Sequence, residues 1–215
     1  MSVLEEARQE VLITAHKIIA NELNFGTWGN ISCRAADQII ITPSGIPYND
    51  LENEDMCVVD LQGQAIESRR KPSTELPLHL LIYRARKDIR AIVHVHSKYA
   101  SAFAAARREI PVALEEMAQL LGAAVPIADY ALPGSNMLGE YAVAALGEGY
   151  AVLLASHGLV ALGTELNEAL LRCLVVERSA HVLLYSQLLG SPVLLEQEEI
   201  IALRKKYTHS YGQEK

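Results

Sequence analysis

Apolar residues recur at Leu4, Ala7, Val11, Leu12, Ile18, Ile19 and Leu23 with charges between them, the spacing of a helix that buries one stripe. The pattern then shortens. Asn24-Phe-Gly-Thr-Trp-Gly-Asn30 reads as a loop, and the apolar segments Ile31–Arg34 and Ile39–Ile41, joined by Ala35-Ala-Asp-Gln38, predict a hairpin running into the turn Thr42-Pro-Ser-Gly45. Cys57–Leu61 and Ala65–Glu67 predict a second hairpin across Gln62-Gly-Gln64. Helical spacing returns at Leu78, Leu81, Ile82 and Ala85. These lie in a helix Leu76–Arg86 for which Ser73 or Thr74 is read as the N-cap, with Glu75 in the first turn.

Ala91-Ile-Val-His-Val-His-Ser97 reads as a buried strand, followed by helices at Lys98–Ala106 and Glu115–Leu121, a strand at Val125–Ala128 and a helix at Met137–Leu146 after the turn Pro133-Gly-Ser135. Ala151–Ala155 is the most apolar strand of the second half. It delivers Ser156-His-Gly158 before Leu159–Ala161 resumes, and long helices are predicted over Leu166–Leu189 and Glu196–Ser210. With no repeat, low-complexity tract or long linker, the expectation is one domain over 1–215, α/β in class, with helices around a mainly antiparallel sheet.

Composition narrows the setting. A 215-residue chain that is 50% hydrophobic can bury roughly 70% of the surface its unfolded form exposes. A net charge of −7 argues against nucleic acid or an anionic membrane as a general partner, so an anionic substrate needs a local device. Cys33, Cys57 and Cys173 form no C-x-x-C pair, which indicates neither a disulfide framework nor a thiolate zinc site and fits a reducing compartment. The first residues lead straight into the amphipathic pattern without a signal or spanning segment. A cytoplasmic protein is expected.

In the strand at 91–97, period-two geometry puts His94 and His96 on one face, where two imidazoles can reach a common ion at roughly 2.0–2.1 Å each. Such a pair is also compatible with a hydrogen-bonded core, so the neighbourhood decides. His157, at a strand end before Gly158, is the best third ligand; His16, His79, His181 and His209 read as surface residues or as supports of other side chains. Three nitrogens with an open position suit a catalytic zinc. Glu75 is the candidate acid/base. A carboxylate in a first helical turn ordinarily complements the helix dipole, but here it follows Ser73 and Thr74, whose hydroxyls with nearby N–H groups suit a phosphate. Gly29-Asn30 and Ser44-Gly45 offer more donors. The combination suggests proton removal alpha to a metal-bound carbonyl in a phosphorylated substrate.

Competing signatures are absent: there is no G-x-x-x-x-G-K, G-x-G-x-x-G or G-x-S-x-G. The first glutamate after His96 is Glu109, too distant for a cupin-like arrangement, and the chain is short for an amidohydrolase barrel.

Taken together, Gly26-Thr-Trp-Gly-Asn-Ile-Ser32, Ile41-Thr-Pro-Ser-Gly-Ile-Pro47, Pro72-Ser-Thr-Glu75, His94-Val-His96 and His157-Gly-Leu159 resemble the class II aldolase/adducin family over nearly the whole chain. The resemblance implies a single three-layer α/β domain, its central sheet mostly antiparallel and flanked by helices, assembled as a homotetramer with active sites between subunits. It implies His94, His96 and His157 as ligands of Zn2+, or of another divalent metal such as Mn2+ or Co2+, with Glu75 as catalytic acid/base and as a further ligand until substrate arrives. Gly29, Asn30, Ser44, Gly45, Ser73 and Thr74 then resemble the phosphate site, and Tyr211, or alternatively Tyr207, the proton donor to the aldehyde.

The activity so implied is cleavage of a small phosphorylated sugar, L-fuculose 1-phosphate or a related 5-deoxy- or 5-methylthioribulose 1-phosphate, to dihydroxyacetone phosphate and an aldehyde through a zinc-stabilised enediolate. Glu75 favours this branch over the related 4-epimerases, which tend to carry aspartate there. Ile110–Met117 lacks an expected tyrosine, and Pro133 stands where a phenylalanine is expected. A 4-epimerase, a methylthioribulose-phosphate dehydratase and a non-catalytic adducin-like interaction domain are the alternatives.

Overall fold

The computed structural model of the protein describes residues 2–210. Its centre is β5 (Ala91–Val95), every residue of which is buried. A run so apolar needs cover on both sides, and it has it. β5 pairs antiparallel with β1 (Asn30–Ala35) on one edge and β8 (Gly158–Gly163) on the other. Beyond β1 lie β2 (Gln38–Ile41), β3 (Cys57–Asp60) and β4 (Ala65–Glu67); beyond β8 lie β7 (Ala151–Leu154) and β6 (Ile127–Ala128). The order is β4-β3-β2-β1-β5-β8-β7-β6, antiparallel except between β6 and β7.

Alternation along β5 divides the apolar side chains between two layers. Ala91, Val93 and Val95 pack with α1 (Val3–Ala20), α3 (Lys98–Ala105), α4 (Glu115–Leu120), α6 (Leu166–Leu189) and α7 (Gln197–Ser210). Ile92 faces the opposite layer, with Val160 and Leu162 of β8, under α2 (Leu76–Ala85) and α5 (Asn136–Leu146). The result is a helix–sheet–helix sandwich, as expected. Among the described residues, no helix is long and apolar enough to cross a membrane.

Two local expectations need correction. Glu75, not Ser73 or Thr74, is the N-cap of α2, and its carboxylate makes no bond to its own helix. Pro77 near the start of α2 removes one of the free donors such a bond would use. The predicted strand Val125–Ala128 is also shorter. Val125 bridges to Ile110, and only Ile127–Ala128 pairs with β7, because Pro126 has no N–H to continue a ladder.

Directly after the H-x-H pair, α3 begins under a carboxylate from another helix. Glu177 of α6 accepts from the Ser97 hydroxyl at 2.6 Å and from the Tyr99 and Ala100 N–H groups, each at 2.9 Å. Ser97 has no cap bond of its own to offer. Glu177→Ala strands these partly buried donors, and should cost about 2–3 kcal/mol, since bonds to a charged acceptor carry about 1.5–3 kcal/mol. Thermal unfolding followed by circular dichroism should show a midpoint lower by roughly 5–10 °C; an unchanged midpoint would refute the capping role.

Candidate active site

The sheet register gathers the site. In the β1–β5–β8 row, Asn30 lies opposite His94 and His94 opposite Val160, while the tight β7–β8 turn, with Leu154 opposite Gly158, places His157 beside them. Gly158 fits because it lacks a side chain. A Cβ there would run into the Val95 carbonyl oxygen and lie 3.1 Å from the His96 ring and 3.3 Å from the His94 ring. At Gly29 (φ +78°) the backbone similarly passes so close to the Asn24 side chain and the His94 carbonyl that a Cβ has no room. Asn24 reaches back to accept from the His96 N–H at 2.6 Å.

Four basic side chains converge there. His94 Nε2 lies 3.0 Å from His96 Nε2, 3.3 Å from His157 Nε2 and 3.1 Å from Glu75 Oε2, and His157 Nε2 lies 3.2 Å from Glu75 Oε1. The three rings meet edge to face with centroids 4.7–4.8 Å apart. His94 Nδ1 donates to the Leu159 carbonyl at 3.0 Å, so Nε2 is the nitrogen aimed at the group. Burial, reinforced by His94 and His157, pushes His96 down to about 3, and burial with His94 pushes His157 down to about 4. Burial alone would raise the Glu75 carboxyl. The adjoining His94 and His157 imidazoles and donation from Asn30 outweigh it and hold the group well below the usual carboxylate range. Lone pairs and a negative charge so close together repel unless a cation sits between them, and a three-His, one-carboxylate donor set suits a divalent ion.

Beside this cluster opens a cavity of about 340 Å³, lined by Gly29, Asn30, Ser44, Gly45, Ser73 and Thr74 as well as by Glu75, His96 and His157. All six residues expected at the phosphate thus share one pocket. The two hydroxyl-bearing loops are laced together, Ser44 N–H to the Lys71 carbonyl at 3.0 Å and Ser73 N–H to the Thr42 carbonyl at 3.1 Å. Those two amides are therefore spent on holding the walls, while the hydroxyls line the pocket. Ser73 Oγ accepts from the Glu75 N–H at 3.2 Å and keeps its own hydrogen to donate. Among the described residues no lysine or arginine lines the cavity, so an anion there would be held by neutral donors.

Thr27, Trp28, Pro43 and Pro133 also line the cavity. The first two belong to the glycine loop already singled out, but sequence reasoning gave no reason to pick them. His79 proves fully buried, whereas His16 and His209 are exposed and His181 stacks on Tyr99 at 3.9 Å. Tyr211 lies outside the described residues, and Tyr207 packs against the apolar layer on the far side of the sheet from α2. A larger cavity of about 770 Å³, between α3 and the end of α6, holds none of the convergent histidines.

Comparison with known proteins agrees with this geometry. Residues 9–184 match the sequence profile described as "Class II Aldolase and Adducin N-terminal domain". The chain is 36% identical over 99% of its length to the whole of a 5-deoxy-D-ribulose 1-phosphate aldolase of Bacillus thuringiensis serovar kurstaki. It is 34% identical, over 96% of its own length and 95% of the relative's, to an L-fuculose phosphate aldolase of Haemophilus influenzae. A solved L-fuculose 1-phosphate aldolase superposes with a TM-score of 0.91 at 34% identity, covering 94% of this chain and 96% of the other. The chain belongs to the class II aldolase and adducin family.

Proposed function

We propose that this protein is a zinc-dependent aldolase that cleaves a ketose 1-phosphate into dihydroxyacetone phosphate and an aldehyde. The observation that carries the reading is the convergence of three imidazole nitrogens and the Glu75 carboxylate at the wall of a pocket otherwise lined by neutral anion donors. A divalent ion held by His94, His96 and His157, with Glu75 as a fourth donor, would polarise the substrate's carbonyl, a Lewis-acid effect worth several kcal/mol.

The chain's own groups supply the remainder. Asn30, Ser44, Gly45, Ser73 and Thr74, with the backbone at Gly29, hold the phosphate and so fix the adjoining carbonyl against the histidines. In the condensation direction Glu75 takes a proton from the carbon alpha to that carbonyl. In cleavage it returns that proton, after the hydroxyl of the aldehyde half has lost its own and the carbon–carbon bonding pair has moved to the alpha carbon. We assign the proton exchange at that hydroxyl to Tyr211. Trp28 and Pro133 give the pocket apolar surface, which favours an aldehyde half that carries no hydroxyl, the acetaldehyde of 5-deoxyribulose 1-phosphate, over the lactaldehyde of L-fuculose 1-phosphate, which keeps one. A complete donor set argues against a non-catalytic interaction domain.

An assay coupled to dihydroxyacetone phosphate should show cleavage that chelator abolishes and added Zn2+ restores. Glu75→Gln should lower kcat by roughly a hundredfold or more, and full activity in that variant would reject the assigned role. Release of an epimer or a dehydrated ketose without dihydroxyacetone phosphate would indicate the epimerase or dehydratase chemistry instead. Titration of metal-stripped protein with Zn2+ should give one site per chain, lost in His157→Ala. Across a substrate panel, kcat/KM should be higher for 5-deoxyribulose 1-phosphate than for L-fuculose 1-phosphate, and the reverse order would refute the apolar-pocket argument. We also propose a cytoplasmic homotetramer, for which light scattering should give four times the 23.6 kDa chain mass and fractionation should recover the protein with the cytosol; a monomer would contradict that assembly.

A further inference from the structure

Glu75, His79 and Tyr83 follow one another at four-residue steps, from the cap of α2 along one face of the helix. Asn30 and Ser32 alternate onto one face of β1. Where the two elements meet, their polar atoms form an unbroken row. Tyr83 OH lies 2.9 Å from Ser32 Oγ, Ser32 Oγ 2.6 Å from His79 Nδ1, His79 Nε2 2.5 Å from Asn30 Oδ1, and Asn30 Nδ2 2.9 Å from Glu75 Oε2. Ser32, His79 and Tyr83 have no exposed surface and Asn30 only 3%. Solvent does not reach Ser32, His79 or Tyr83, so their hydrogens must be placed within the row.

Only one placement satisfies every atom. The ionised Glu75 carboxylate only accepts, so Asn30 must present its NH2 there and its Oδ1 to His79. That oxygen also only accepts, so His79 Nε2 carries a hydrogen. The His79 ring is completely buried and its two nitrogens meet only the uncharged Ser32 hydroxyl and Asn30 amide, an environment that disfavours a charged imidazole, so Nδ1 is bare. Nδ1 then accepts from Ser32, whose single hydrogen is thereby used, and Tyr83 must donate to Ser32. The phenol forgoes a longer contact of 3.5 Å to the Arg90 carbonyl. Every donor in the row points toward Glu75.

We infer that His79 is a positioning residue: through its Nε2–H it holds the Asn30 amide in the orientation that turns nitrogen, not oxygen, toward Glu75. The two ends of an amide are nearly isosteric, and rotated by half a turn Asn30 would set an oxygen against the carboxylate. His79 opposes that rotation because its Nε2–H would then meet an NH2. The second hydrogen on Asn30 Nδ2 is left for the pocket that Asn30 lines, so one amide touches both the acid/base and the anion site.

Long-range proton–nitrogen NMR of protein labelled with ¹⁵N-histidine tests the direction of the row without reference to activity. The His79 signals, assigned by their loss in His79→Gln, should report a protonated Nε2 and a bare Nδ1. A protonated Nδ1 would overturn the inference. The kinetic consequence rests on the aldolase reading. His79→Leu should lower kcat for dihydroxyacetone phosphate release by roughly ten- to a hundredfold, with a smaller change in KM. His79→Gln, whose amide nitrogen lies near the place of Nε2, should recover most of that loss.

Because His79 acts through Asn30, the double variant of His79→Leu and Asn30→Ala should be no slower than Asn30→Ala alone, within about twofold. Losses that multiply would show a role independent of Asn30 and overturn the assignment. Should His79→Leu fail to fold, judged by thermal unfolding, the wild-type tautomer and the Gln variant decide. If the wild-type protein releases no dihydroxyacetone phosphate from any ketose phosphate, the aldolase reading fails while the NMR result still judges the hydrogen-bond row.

Discussion

Packing two further imidazole nitrogens and a carboxylate within 3.0–3.3 Å of His94 Nε2 is unfavourable in a protein interior, where the charges and lone pairs are poorly screened. The fold must hold them there by other means. Two of the histidines sit on or just beyond a central strand hydrogen-bonded on both edges, and the third sits in a tight turn between two further strands of the same sheet. Displacing any one ring would disturb a ladder that the apolar layers on both faces keep in register. Stability made in the core is thus used to maintain an electrostatic arrangement that would not assemble by itself.

The supports come from every direction in the chain. Asn24, from the loop after α1, accepts from the His96 amide, and Glu177, from α6, ties down the residues that follow. Gly29 lets backbone pass the Asn24 side chain and the His94 carbonyl, and Gly158 lets it approach where a side chain would push the His94 and His96 rings. The neighbouring pocket is built in the same economical manner. Its walls are joined by backbone bonds from Ser44 and Ser73, so the side-chain hydroxyls remain available to a ligand. Among the described residues no lysine or arginine lines it, so in a chain of net charge −7 the proposed selectivity for an anion would come from oriented neutral dipoles.

Much of this was legible in the sequence, because the signals were local. The alternation of His94-Val95-His96 at the end of an apolar run placed two rings on one face, and the hairpins at 31–41 and 57–67 were apparent from their turns. What was not legible depended on partners far along the chain. The cap of α2 was misplaced because hydroxyl residues normally win that position, whereas here Glu75 occupies it and spends its carboxylate on residues 19 and 82 positions away. The strand at 125–128 was overextended because an apolar run outweighed the missing N–H of Pro126. His79 had a signal, its four-residue step from Glu75, but nothing local distinguished a buried support from a surface imidazole. That distinction needed Asn30 and Ser32, which arrive from a strand more than forty residues earlier.

The misplaced cap is also the most informative detail for chemistry. A carboxylate at a helix start is usually immobilised by the first free N–H groups, and would then be a poor base. Glu75 makes no such bond. Its Oε1 faces His157 and its Oε2 faces both His94 and Asn30, so its position is set entirely by groups on the sheet side. Of these three, only Asn30 lies outside the histidine cluster. If the cluster's attention turns to a ligand in the pocket, Asn30 is the contact that keeps the carboxylate beside that ligand. A side chain proposed to lie first among metal-binding nitrogens and then to accept a proton needs a tether independent of them, and the buried row that begins at Tyr83 ends on that tether.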